Sequence, residues 1–229
     1  MLTPVLILFA LAAIAPGLQR VLRERTGTVL AAGPAALFAW FVTGLDDVTR
    51  GEAWVQSWTW VEELGIRFAF RLDGLSLLFA LLVTGIGALV LVYAGGYFKG
   101  DARTPRFYTA ILFFMGSMLG LVLADDALGL FVFWELTSVS SYILIGFNHE
   151  KEEARASALQ ALFVTGGGGL ALLAGLLLLG QVAGTTQLSA LGHQAATIQA
   201  HPLYLPVLLL VLAGAFTKSA PVSYTHLTL

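Results

Sequence analysis

Apolar residues in this chain run in long unbroken blocks, with polar residues gathered between them. Seven blocks approach the roughly 17–25 apolar residues that a helix needs to cross a bilayer core of about 30 Å. They are 2–18, 28–45, 75–97, 107–124, 127–147, 158–181 and 203–218. None shows the period-two alternation of a barrel strand. Lipid offers no partner for backbone groups, so helices remain as the spanning element. The pattern therefore predicts an all-α membrane protein with about seven transmembrane helices. One polar stretch departs from it: Ile66 to Leu72 alternates in part, which predicts a short strand or hairpin arm.

Charge placement orients the helices. Cytoplasmic loops are enriched in Lys and Arg. The loops after helices one, three and five hold Arg20, Arg23, Arg25, Lys99, Arg103, Arg106, Lys151 and Arg155, eight of the twelve positive residues. The 46–73 loop holds Arg50, Arg67 and Arg71 beside six acids. The N-terminus is thus expected outside. Trp54, Trp58 and Trp60 fit an aromatic belt at the outer interface. The first helix begins Met-Leu-Thr-Pro-Val, without the positive start of a signal peptide, so it reads as retained.

Composition narrows the function classes. Hydrophobic residues make up 58% of 229 and charged residues 11%, against about 25% charged in a soluble domain. Cysteine is absent, which removes disulfides and thiolate metal sites. Lys and Arg sit in short loops and form no nucleic-acid face. No phosphate-binding glycine loop or nucleophile–His–acid set is present, so neither a cofactor nor soluble catalysis is expected. His193 and His201 lie in a polar 182–202 stretch and read as solvated rather than as a metal site.

Within the apolar blocks two charges stand out. Glu135 lies about 12 Å into the membrane from Ala127, at about 1.5 Å per residue. An acid or base at that depth costs about 2.5–3.5 kcal/mol, so it marks a functional site by default. Ser138 and Tyr142 follow at i+3 and i+7 and share its face. Ser141 lies nearby, and Thr137 and Ser140 add hydroxyls. Lys218 lies about 18–22 Å in, counted from Pro206 or Leu203. A Glu–Lys pair is a proton switch in principle, since each charge biases the other's protonation. The competing readings are an inert interhelical hydrogen bond for Glu135 and snorkelling to the inner interface for Lys218. His149, just below the helix of Glu135, is a weaker candidate for an inner proton exit. Gly166 to Gly169, and Gly85, Gly87, Gly95 and Gly96, read as packing surfaces for close helix approach. Asp125 and Asp126 read as helix-capping acids.

These residues carry a resemblance. Phe131-Val132-Phe133-Trp134-Glu135-Leu136-Thr137-Ser138 through Leu144-Ile145-Gly146-Phe147 resembles the fifth helix of the proton-conducting subunits shared by respiratory complex I and Mrp-type antiporters. Arg71-Leu72-Asp73-Gly74-Leu75-Ser76 resembles the family's lead-in to its third helix, and Ala215-Phe216-Thr217-Lys218-Ser219-Ala220 its seventh. Glu150 to Arg155 and Ala161 to Thr165, with the glycine run after them, resemble the large A-type subunit of the Mrp Na+/H+ antiporter in particular. The resemblance implies Glu135 and Lys218 as proton-relay residues, with Ser138, Ser141, Tyr142 and His149 as candidate pathway lining. It also implies a fold of inverted five-helix repeats, sibling Mrp subunits as partners, Na+ and H+ as cargo, and a multi-pass place in a bacterial inner membrane. On this reading residues 1–106 form an N-terminal three-helix region and 107–220 begin the first repeat. Residues 221–229 depart from the family and read as a truncated or chimeric frame. Two alternatives stay open: a proton-pumping membrane arm of a complex I-like redox enzyme, and a non-transporting stub.

Overall fold

The computed structural model describes residues 1–61 and 66–219. The expected tail 221–229 lies outside the described residues, as does the side chain of Trp60. The chain divides into two compact units, residues 1–56 with 70–123, and residues 57–69 with 124–229.

The first unit is built on four apolar helices. Helix α1 (Leu2–Leu22) ends at Arg23, whose φ of 49° lies in the left-handed region. That break and a 3-10 turn over Arg23–Arg25 separate it from α2 (Thr26–Val42), and the two helices pack on each other. A short α3 (Leu45–Thr49) follows. Strands β1 (Trp54–Val61) and β2 (Ile66–Leu72) then pair as a two-stranded sheet. This is the expected alternating arm, and the chain before it supplies a partner strand. Trp54 packs on Trp40 at 5.8 Å and donates its indole N–H to Asp47 at 2.9 Å.

Helix α4 (Gly74–Tyr97) starts on a reciprocal cap. The Asp73 carboxylate accepts from the Ser76 backbone N–H at 3.1 Å, and Ser76 Oγ accepts from the Asp73 N–H at 2.7 Å. Desolvation pushes the Asp73 pKa up, but the Ser76 bonds and the neighbouring Arg71 outweigh it and leave it below the usual value. Helix α5 (Thr104–Leu123) packs against α1 and α4, and α2 packs against α4. Gly27 permits the second contact: a Cβ there would lie 2.5 Å from the Leu91 carbonyl oxygen and 2.6 Å from the Tyr108 hydroxyl. Leu8, Leu30, Phe41, Leu91, Leu112 and Leu119 are fully buried. Two buried hydroxyls are satisfied within their own helices, Thr84 donating to the Ala80 carbonyl at 2.7 Å and Ser117 to that of Phe113 at 2.8 Å. Apolar surroundings require such internal satisfaction.

In the second unit, α6 (Ala127–Ile145) is continued by a 3-10 turn over Gly146–Asn148. Helix α7 (Glu152–Ala183) packs against it and against α10 (Tyr204–Lys218). Between α7 and α10 lie α8 (Leu188–Leu191), a 3-10 turn over Gly192–Gln194 and α9 (Ala195–Ala200). Helix α7 is longer than the apolar block 158–181. Glu152 and Glu153 occupy its first turn, where acids oppose the helix dipole favourably. It ends at Gly184 with a φ of 68°, a conformation glycine adopts without strain. The mixed-charge stretch read as a loop over 149–155 is thus partly the start of a helix.

The N-terminus of α6 is tied down by two buried acids. Asp126 accepts from the backbone N–H of Leu128 at 2.9 Å and of Gly129 at 3.2 Å, and from the Thr186 hydroxyl at 2.6 Å. Asp125 accepts from the Ser189 N–H at 2.8 Å, the Ser189 hydroxyl at 2.9 Å and the Gln187 amide at 3.0 Å. Its own N–H donates to the Ala69 carbonyl at 2.8 Å. Both carboxylates are occupied by these bonds, in keeping with capping.

Five helical stretches among the described residues are long and apolar enough to cross a membrane: Leu2–Thr49, Gly74–Tyr97, Thr104–Leu123, Ala127–Asn148 and Glu152–Ala183. The first includes α1 and α2. Helix α10, with 15 residues, is shorter. The protein is an all-α, multi-pass membrane protein. The two packing units meet in sequence at 123/124, because α5 buries Leu112, Leu119 and Leu123 in the unit that holds α1 and α4.

Candidate functional site

Helix α6 places Glu135 and its hydroxyls by simple periodicity. Most of the hydroxyls turn back on their own helix. Thr137 donates to the Trp134 carbonyl at 2.7 Å, Ser138 to the same carbonyl at 3.2 Å, and Ser140 to that of Leu136 at 2.8 Å. Each hydroxyl oxygen keeps lone pairs for a further donor.

One such donor is Lys218, at the C-terminal end of α10. Its ammonium donates to Thr137 Oγ1 at 2.8 Å and to the Trp134 carbonyl at 3.4 Å. It also lies 5.3 Å from the centre of the Trp134 ring, within cation–π range. The lysine is therefore held on the helix that carries the glutamate, yet the two do not touch. No nitrogen–oxygen approach within 4.0 Å joins Glu135 to Lys218. Glu135 Oε1 is shielded from solvent and takes no hydrogen bond, and Trp134 Nε1 is in the same condition.

The carboxylate is seated against α7. A Cβ built on Gly169 would overlap Glu135 Oε1 and lie 2.9 Å from its carboxyl carbon. One built on Gly168 would overlap the Thr217 hydroxyl, and one on Gly214 would lie 2.6 Å from Leu172 Cβ. Gly166 and Gly167 face open space. Two of the four glycines in the run thus serve close approach and two do not.

A cavity of about 40 Å3 opens beside the lysine, lined by Ser138, Ser141, Tyr142, Ala161, Thr165, Thr217 and Lys218. A water needs roughly 10–15 Å3 of such space, and six of the seven lining residues carry a polar side chain. The structure thus gathers Ser138, Ser141, Tyr142 and Lys218 around one cavity, with Glu135 on the face it shares with Ser138. It leaves His149 out: that residue is exposed beyond the 3-10 turn, and its carbonyl accepts from Arg155 at 2.7 Å. Thr165, Thr217, Gly168 and Gly169 were not singled out as site residues by sequence. The glycine run was a visible signal, but nothing in it told which glycines face the acid. Among the described residues no group of three or more His, Cys, Asp or Glu converges as a metal site. His201 accepts from the Leu203 N–H at 3.1 Å through Nδ1.

The fold is that of a multi-pass helical membrane protein with a carboxylate and a lysine inside its apolar helices, the lysine beside a small cavity. Comparison with known proteins agrees. Residues 124–226 match the family described as NADH:quinone oxidoreductase/Mrp antiporter, TM, and residues 58–108 match NADH-Ubiquinone oxidoreductase (complex I), chain 5 N-terminus. The chain is 41% identical over 214 residues to the A-type subunit of a Na(+)/H(+) antiporter of Alkalihalophilus pseudofirmus, covering 93% of this chain and 27% of the relative. It is 49% identical over 161 residues to the A/B-type subunit of a probable K(+)/H(+) antiporter of Rhizobium meliloti, covering 70% and 16%. Among solved structures, the Mrp complex from Dietzia sp. superposes with a TM-score of 0.85 at 34% identity, covering 95% of this chain and 23% of that one. The chain belongs to the family of large A-type subunits of the Mrp antiporters. It spans 16% to 27% of the length of these relatives.

Proposed function

We propose that this chain is part of the membrane subunit of a monovalent cation/proton antiporter, and that Glu135 and Lys218 act in it as a proton relay. One observation carries the reading. A buried carboxylate oxygen without a hydrogen bond and a lysine ammonium are held on the same helix, unpaired, and the lysine borders a small cavity lined by hydroxyls. A carboxylate oxygen buried without a partner is costly unless the group exchanges a proton or gains a partner during the work of the protein. Water in the cavity offers the proton a path between the lysine and the hydroxyls of Ser138, Ser141 and Tyr142. The charge distribution supports an N-terminus outside the cell membrane, and the names of the relatives support sibling antiporter subunits and Na+ or K+ as the counter-ion. The redox-arm alternative shares the family description; the antiporter names of the curated relatives favour the first reading.

The test uses the chain within the full-length protein, assembled with its siblings, in everted vesicles of a host lacking its own antiporters. Glu135→Ala and Lys218→Ala are each expected to abolish cation-dependent proton movement while the protein still inserts. Normal exchange in both variants would overturn the relay.

A further inference from the structure

We propose that Thr137 and Gly169 are positioning residues that hold the glutamate and lysine apart, Thr137 as the resting dock of the ammonium and Gly169 as the seat of the carboxylate; the inference rests on the relay reading above.

The geometry begins with helix periodicity. Residues i and i+2 on a helix do not face each other, so Thr137 and Glu135 point to different sides of α6. A lysine that donates to Thr137 Oγ1 at 2.8 Å is thereby kept from the acid, although its main-chain neighbours are adjacent. Thr137 suits the task because its hydroxyl proton is already committed to the Trp134 carbonyl, at 2.7 Å, which turns its oxygen toward the ammonium as an acceptor. The Trp134 carbonyl and ring complete a neutral dock. A neutral dock holds a cation without ending its mobility, as a carboxylate would at this depth.

The acid has its own seat. At Gly169 the α7 backbone lies where a side chain would otherwise stand, and Glu135 Oε1 occupies that space. At the neighbouring Gly168 the same backbone accepts Thr217, the residue before Lys218. Two consecutive glycines on α7 thus receive the acid from α6 and the hydroxyl from α10. The cavity lies beside the lysine, with Ser138 and Lys218 on its wall. Lysine leaving Thr137 has room there beside Ser138, which shares the face of Glu135. Glu135, Lys218 and Tyr142 are the titratable groups that α6 and α10 bring to this place; α7 brings Thr165 and the glycines.

The experiment compares Thr137→Val, Thr137→Ser, Gly169→Ala and Gly167→Ala in the assembled full-length antiporter, with Glu135→Ala and Lys218→Ala alongside. Antiport is recorded across pH. Loss of a hydrogen bond to a charged group changes the balance of docked and undocked lysine by roughly tenfold or more. Thr137→Val is therefore expected to move the midpoint of the pH profile by about one unit and to slow exchange, while Thr137→Ser keeps both at the wild-type position. Gly169→Ala is expected to move the midpoint as well, and Gly167→Ala, which faces open space, to leave it in place. Wild-type profiles in Thr137→Val and Gly169→Ala, with Glu135→Ala and Lys218→Ala inactive, would overturn the positioning roles and leave the relay standing. A Thr137→Ser variant that behaves like Thr137→Val would also overturn the dock. Full activity of Glu135→Ala and Lys218→Ala would remove the relay and this inference with it.

Discussion

Helices α7 and α10 meet through glycine, and Gly214→Ala measures how tightly. The added methyl would lie 2.6 Å from Leu172 Cβ, 2.9 Å from the Gly168 carbonyl oxygen and 3.1 Å from Leu172 Cα. Carbon atoms pack best at about 3.5–4.0 Å, so the Cβ contact is short by about 1 Å. None of the three opposing atoms lies at the end of a flexible side chain. The helices themselves must part, and that draws Thr217 away from its seat at Gly168. Overpacking of a tight interior costs about 1–3 kcal/mol, and the rigid neighbours place this variant toward the upper end. Gly167→Ala is the control. It meets nothing within 4 Å, and alanine in a helix interior is favoured over glycine by roughly 0.5–1 kcal/mol. That gain applies at both positions and cancels, so the two variants should differ by the overpacking cost, about 1–3 kcal/mol. Reversible unfolding of the detergent-solubilised chain in increasing SDS, followed by tryptophan fluorescence, reads the difference. Gly214→Ala as stable as Gly167→Ala would refute the close approach of α7 and α10, and with it the seating of Thr217 on Gly168.

Two further outcomes follow from the caps and ion pairs outside the bundle. Asp126→Ala removes the acceptor for two α6 backbone N–H groups and for Thr186, and should cost about 1–3 kcal/mol in the same unfolding assay; a change below about 0.5 kcal/mol, the size of an ordinary surface substitution, would show that the buried acid does not secure the helix start. The Arg103 side-chain and backbone hydrogen bonds hold the Asp101 carboxyl at about 2, below its ordinary 3.8. Because that pKa is depressed on folding, its favourable contribution is present above pH 3.8 and is lost as pH falls through about 2. Carbon-13 titration of Asp101 in nanodiscs should give that low midpoint, and Arg103→Ala, which keeps the backbone N–H but loses the guanidinium, should raise it part of the way toward the ordinary value; an unchanged midpoint would show that the Arg103 side chain is not its cause.

Much of the fold was legible from composition alone, because lipid permits so few solutions. A long apolar run must satisfy its own backbone, so it is a helix, and α1, α2, α4, α5, α6, α7 and α10 all stand at the seven apolar blocks. Alternation at Ile66 to Leu72 marked a strand. Its partner, Trp54 to Val61, was not marked, because the tryptophans there fit an interfacial belt equally well. The start of α7 at Glu152 escaped a reading by hydropathy, since a helix that runs past the apolar core has a polar first turn. The grouping of α5 with α1 and α4 was also hidden, because nothing in an apolar block says which neighbour it prefers.

The candidate site divides in the same way. Glu135 and Lys218 were conspicuous by themselves, since a charge in an apolar block is costly wherever the block is placed. Helical spacing also put Ser138 and Tyr142 on the face of Glu135. The sequence by itself thus determined a multi-pass helical protein with one acid and one base inside its apolar blocks, and a polar stripe beside the acid. Tertiary structure decided how those parts meet. It set Lys218 on Thr137 instead of on Glu135, put the acid against Gly169, brought Thr165 and Thr217 to the cavity, and left His149 outside it. These choices depend on the depth and rotation of α7 and α10 against α6. Close packing of particular atoms fixes both quantities, and a pattern of apolar and polar letters carries no information about either.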